Sequence, residues 1–226
     1  MADMAIHVVT KDCTALSDAD LDEMADLSGA LGSSYEIGVL SKEREAWVLI
    51  TLARRDDRLA GYSFCTLERI GGTPSVLIGL ATIERGPHGR QLLEGVLHDQ
   101  LRRAVLAFPD EDVLVGTRVA WPDGFDAYAS LQDVVPRPDH KASGEERAWG
   151  RRLAKRFGID NGNYEDRVFI ARGDGVPTGV LDYRRHDGEA HDPAIAAYFD
   201  SIEPKRGDAL VVFGWAMAEY LETFLP

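Results

Sequence analysis

The sequence predicts an α+β protein with a mixed, mostly antiparallel sheet flanked by helices. Three observations predict it. Three strand-like runs follow one another between residues 46 and 84, with only short polar turns between them. A long amphipathic stretch, Gln91 to Phe108, then leads into another apolar run, Val113 to Ala120, which makes a β-loop-α-β crossover and so a parallel pair at the middle of the sheet. Two further helices are marked by capping boxes at Ser17 and Ser143.

Taken in order, Ile6 to Thr10 reads as a first short strand. Ser17 with Asp20 three residues on opens a helix, whose Leu21, Met24, Leu27, Ser28 and Leu31 recur at helical spacing, and Gly32 suits the position past its end. The strands Ala46 to Ala53, Leu59 to Ile70 and Ser75 to Glu84 follow, joined by Arg-Arg-Asp-Asp-Arg and by Gly71-Gly72. The third is apolar almost throughout, as in a strand buried on both faces. Leu93, Val96, Leu97, Leu101, Ala104, Val105 and Phe108 form the stripe of the long helix.

The last third is less regular. Gly124 to Gln132 reads as a short helix and Val134 to His140 as a Pro-broken connector. Ser143 with Glu146 opens a helix carrying Trp149, Leu153 and Phe157, closed by Gly158. Arg167 to Arg172 and Val176 to Tyr183 read as a hairpin, followed by a strand at Ala209 to Phe213 and a final helix. The turns at residues 53–61 and 171–179 are alike, which is either the trace of a duplicated half-domain or shared turn chemistry. The expected organisation is therefore a first domain over 1–138 and an α/β extension over 139–226, a degenerate repeat if the duplication is real.

Charge and composition narrow the function. With 25 basic against 38 acidic side chains the net charge is −13, which speaks against a nucleic-acid partner. No apolar run approaches the roughly 20 residues of a membrane-spanning helix, and the first residues lack a secretory pattern, so a cytoplasmic protein is expected. Two cysteines, Cys13 and Cys65, cannot make a disulfide framework or a four-cysteine zinc site. The His186 to Asp192 stretch has metal-friendly side chains in a polar setting, but no metal site is expected there. Arg151, Arg152, Lys155 and Arg156 make a basic helix face, ordinarily a solvated one.

The segment Glu84 to Leu93, between a buried strand and a helix, carries the strongest functional signal. Gly86 and Gly89 let a ligand approach the backbone, the N–H groups opening the helix favour an anion, and His88 and Arg90 add side-chain donors. In this order of elements the sequence resembles the GNAT acetyltransferase superfamily over roughly residues 5–138. Arg85, Gly86, Gly89, Leu92 and Leu93 match that family's pyrophosphate loop, with a spacing one residue short and Pro87-His88 where a further glycine is usual. Pro87 removes one N–H from the set. Tyr128-Ala-Ser-Leu131 matches the family's tyrosine segment, with Gln132-Asp133 replacing its Gly-Phe.

The resemblance implies an acyltransferase that uses acetyl-coenzyme A, or another acyl-coenzyme A, and an amine acceptor on a small molecule or a protein. The strand Ser75 to Ile83 would hold the pantetheine by backbone hydrogen bonds, and Arg85, Gly86, His88, Gly89 and Arg90 the pyrophosphate. Tyr128 would protonate the departing thiolate. No acid lies within that strand; Glu84 at its end and Glu68 on its neighbour are the candidates for a base. The alternative is a non-catalytic GNAT-fold binding or assembly module, whose C-terminal third forms a second, cofactor-free half or a homodimer interface.

Overall fold

The computed structural model describes residues 6–176, 178–186 and 190–225. The chain opens with β1 (Ile6–Asp12), α1 (Asp18–Ala30) and α2 (Ile37–Ala46). The meander β2 (Leu49–Arg55), β3 (Arg58–Ile70) and β4 (Thr73–Ile83) follows, then α3 (Gly89–Ala107) and β5 (Val113–Val119). A 3-10 run over Pro122–Tyr128 precedes β6 (Gln132–Val135) and α4 (Gly144–Arg156). The two-residue strands β7 (Tyr164–Glu165), β8 (Ile170–Ala171) and β9 (Leu181–Asp182) come next, then α5 (Pro193–Ala196), β10 (Ala209–Ala216) and α6 (Ala218–Glu222). The helix–meander–loop–helix–strand order expected from the GNAT resemblance is present.

All the strands belong to one sheet of order β1-β2-β3-β4-β5-β10-β8-β7, with β6 also on β10 and β9 on β4. Among the described residues, only β4 with β5 and β4 with β9 run parallel. The two faces carry different helices, as alternation along β3 makes plain. Tyr62 meets Ser28 of α1, hydroxyl to hydroxyl at 2.6 Å. Its neighbour Ser63 accepts from Gln100 of α3 at 3.0 Å. On the α1 side, α4 lays Leu153 over Gly116 and Leu77, and Phe157 against Trp47. The core between these layers is continuous across the sheet.

Both capping boxes form as expected: Asp20 N–H donates to the Ser17 hydroxyl and Glu146 N–H to that of Ser143, each at 3.1 Å. Other expectations are corrected. Residues 37–46 form α2, so the second strand starts at Leu49 rather than Ala46. The stretch 124–132 is a 3-10 run that gives way to β6, which pairs with β10. The 167–172 and 176–183 segments do not pair as a hairpin: β8 joins β7 and β10, and β9 joins β4. The hairpin parallel behind the suspected repeat is therefore absent. Strands from both sides of residue 138 share the sheet, and β10 pairs with β5 along seven residues.

Among the described residues, no helix is long and apolar enough to cross a membrane.

Candidate functional site: a slot beside the fourth strand

β4 and β5 pair only from Ser75 with Leu114 to Leu77 with Gly116. Beyond that point they part. The register of β3 on β4 shifts between Ser63 and Cys65. At Gly79 a Cβ would stand 2.3 Å from the Trp47 indole, so only glycine leaves room for that ring. The result is a slot between the two strands, with the C-terminal half of β4 along one wall and the Gly loop at its far end.

The slot is filled by the chain itself. Val180 O accepts from Ala81 N–H at 3.0 Å, and Leu181 and Asp182 pair in parallel with Ala81 and Thr82. The segment then continues to the loop, where Tyr183 lies 3.6 Å from the position of a Cβ on Gly89. Val180, Leu181, Asp182 and Tyr183 are all buried. Each apolar side chain among them contributes about 1.5–3 kcal/mol by leaving water.

Contacts from the α1–α2 connection hold this segment in place. The Tyr35 hydroxyl donates to Thr178 O at 3.3 Å and accepts from Val180 N–H at 3.4 Å. Burial pushes the Tyr35 phenol up, with the nearby Asp182 carboxylate adding to the effect, so it stays protonated. Ser33 donates to Asp182 Oδ2. Asp182 Oδ1 lies 3.6 Å from Arg184 Nε and 3.8 Å from Arg85 Nη2, and accepts no hydrogen bond among the described residues. The Arg184 guanidinium stacks 3.3 Å from the centre of the Trp121 ring, and burial draws its pKa down to about 10.

The residues singled out from sequence fall in two places. Ile83, Glu84, Arg85, Gly86, His88, Gly89 and Arg90 lie together at the end of β4 and the start of α3. Ile83 is buried in the core. Glu84 is paired with Arg58 and, at 3.0 Å, with Arg55. Both of its oxygens are thus turned to guanidinium groups of β2 and β3. Gly86, at φ 136°, needs to be glycine for its backbone alone. At Gly89 a Cβ would meet the Glu84 carbonyl oxygen at 2.9 Å, so close packing within the chain already accounts for this glycine. His88 caps α3 without a side-chain bond, and Arg90 points along the helix to Glu94 at 3.1 Å.

Tyr128 sits apart from the loop. Its hydroxyl donates to Val212 O on β10 at 2.9 Å, and burial pushes its phenol well above its ordinary range. That places it in the packing between the 3-10 run and the sheet.

Sequence reading missed Ser33, Tyr35, Asp182 and Tyr183, because nothing in a two-residue strand or a short connection announces which strand it will join.

Cys13 and Cys65 are both buried with free thiols, each pushed up to about 12 by burial. Among the described residues, no group of three or more His, Cys, Asp or Glu side chains is placed to hold a metal. Residues 187–189 of the His186 to Asp192 stretch lie outside those residues.

No family model matches the sequence, and no curated protein matches it. Solved structures do resemble the chain. The Escherichia coli ribosomal-protein-S18-alanine N-acetyltransferase is 11% identical with a TM-score of 0.44, over 93% of this chain and 95% of that one. An aminoglycoside 6'-acetyltransferase type Ii is 14% identical with a TM-score of 0.41, over 57% of this chain and 86% of that one. An aminoglycoside N-acetyltransferase in complex with coenzyme A is 13% identical with a TM-score of 0.37, over 50% of this chain and 77% of that one. All three are acetyltransferases.

Proposed function

We propose that this chain is a non-catalytic binding module built on an acyltransferase-like fold. One observation carries the reading: Val180 to Asp182 take the backbone edge of β4 that the pantetheine of an acyl donor would need. The surrounding chemistry supports it. The Glu84 carboxylate is neutralised by two arginines, the Tyr128 hydroxyl is committed to Val212 O, and Tyr183 lies against the loop expected to take the pyrophosphate.

A second reading keeps the activity that the resemblance implies: transfer of an acetyl or other acyl group from coenzyme A to an amine of a small molecule or a protein. One observation favours it. A polar cavity of about 390 Å3 adjoins the slot, lined by Tyr35, Trp121, Asp182 and Arg184. Asp182 Oδ1, which accepts no hydrogen bond among the described residues, suits the ammonium of an amine acceptor there. This reading requires residues 178–185 to leave β4 before the donor enters.

Thermal melts and calorimetry with millimolar acetyl-coenzyme A separate the two. The binding-module reading expects no heat and no shift. A donor bound at a hundredfold excess over its dissociation constant would add about 2.7 kcal/mol. Such stabilisation, lost in Gly89→Asp and joined by acetylation of any amine in a broad panel, would overturn the first reading in favour of the second.

A further inference from the structure

A further cavity lies away from the slot, between the start of α4, the turn joining β7 to β8, and the turn after α5. It measures about 700 Å3, within the usual range of small-molecule sites. Its floor is apolar: Phe169 and Ile170 are buried there, and Val168 stands 47% exposed at the mouth. Phe169 has φ 60°, a left-handed conformation that costs a bulky residue strain, while its carbonyl accepts from Val211 N–H at 2.8 Å. The floor is thereby tied to β10.

The rim carries Lys141, Arg147 and Arg167. Most of this chain's guanidinium groups are ion-paired; these three cations are not, among the described residues. Arg147 reaches only the Ser143 carbonyl of its own helix, at 3.4 Å. Two acids close by are already engaged, Glu146 with Ser143 N–H, His140 and Arg137, and Asp166 with Arg151, while Asp139 acts on the lining phenol of Tyr198. On a chain of net charge −13, three cations without an ion pair among the described residues thus stand around one apolar hollow.

We propose that this cavity binds an organic anion with an apolar body: a carboxylate, sulfonate or phosphate group held by Arg147, Arg167 and Lys141, and a hydrocarbon or ring portion laid on Val168, Phe169 and Ile170. Both halves of such a ligand find a match, which neither a bare anion nor a neutral hydrocarbon does. The site shares no residue with the slot beside β4 and does not depend on whether that slot admits a donor.

The test is a fluorescence titration of the intact chain with anilinonaphthalene sulfonate, followed by competition. One saturable site per chain is expected. Its affinity should fall about tenfold or more in the Arg147→Glu/Arg167→Glu double variant and on raising the salt concentration. Octanoate should displace the probe, whereas octanol and inorganic phosphate should not. Val168→Asp, which keeps the cations but places a carboxylate at the mouth, should weaken the probe as well. These substitutions alter side chains at the cavity rim and mouth, and unchanged melting curves verify that each variant is folded. Absent binding, or binding indifferent to the charge reversals, overturns the proposal. Octanol competing as well as octanoate reduces the site to apolar surface and overturns it too, as does phosphate competing as well as octanoate.

Discussion

The slot beside β4 and the cavity beside α4 differ in what their polar groups are doing. In the slot, Ala81 N–H, Glu84, the Tyr35 hydroxyl and the hydroxyl of Tyr128 nearby all have partners within the chain. Around the cavity, Lys141, Arg147 and Arg167 have no ion-pair partner among the described residues. A group already paired must lose that partner before it can bind anything else, so its contribution to affinity is the small difference between two bonds. An uncommitted charge beside apolar surface has no such cost. The fold resemblance directs attention to the first region, whereas the unpaired charge directs it to the second.

The sharpest way to break this comparison is to weaken the strand that fills the slot. Leu181 is 2% exposed. Leu181→Ala should cost about 2–5 kcal/mol in denaturant unfolding, the range for a buried leucine. Acetyl-coenzyme A should not restore the loss. If it does, the slot is a donor site that the strand merely covers, and the two regions are alike after all.

Gly89→Ala asks the same question with opposite signs. Were this glycine kept only for a ligand, alanine would leave the free protein unchanged or steady the first turn of α3 by up to about 1 kcal/mol. Because a Cβ there stands 2.9 Å from the Glu84 carbonyl oxygen, a backbone atom that cannot turn aside, the expected result is a loss of about 1–3 kcal/mol. A melting curve on the ligand-free chain decides it.

Tyr128→Phe keeps the ring and removes the bond to Val212 O. Stability should fall by roughly 0.5–1.5 kcal/mol, the net worth of a hydrogen bond. Under the second functional reading the same variant would also lose turnover by about 10²–10⁴. A stability loss with no activity to lose sharpens the contrast between a packed region and a working one.

How much of this was legible beforehand follows from how local each signal is. Ser17 with Asp20, Ser143 with Glu146, and the stripe from Leu93 to Phe108 are contained within single helices, and each helix formed. The meander was legible because its partners are sequence neighbours. α2 escaped because Ile37 to Ala46 mixes charge through its apolar positions and buries only Leu40. β9 could be read as extended, but its partner lies about a hundred residues back in the chain, and an extended run over Val180 to Tyr183 is equally compatible with a hairpin. The loop after Ile83 lies between a buried strand and a long helix, as its residues suggest, while the segment that packs against it carried no motif.

The smallest effect tests the frame of the open cavity. Glu146 closes the capping box of α4 and faces both His140, at 2.9 Å, and Arg137, at 3.3 Å. Burial opposes its charge, but the bonds from Ser143 and His140 outweigh that and bring its pKa to about 2, below the ordinary 4.5. A carboxyl whose pKa is lower in the folded chain stabilises it above the unfolded value and loses that contribution as the pH falls through the folded one. The stability due to Glu146 should therefore be complete above roughly pH 5, decline between about 4.5 and 2, and be gone below. Glu146→Gln keeps an acceptor for the capping box but removes the charge. It should cost about 0.3–1 kcal/mol at neutral pH, the worth of an acid in the first turn of a helix. Melts of the parent and the variant should converge as the pH approaches 2. A difference that persists unchanged to that pH would mean that Glu146 acts through packing rather than charge, and that the rim of the cavity is held without it.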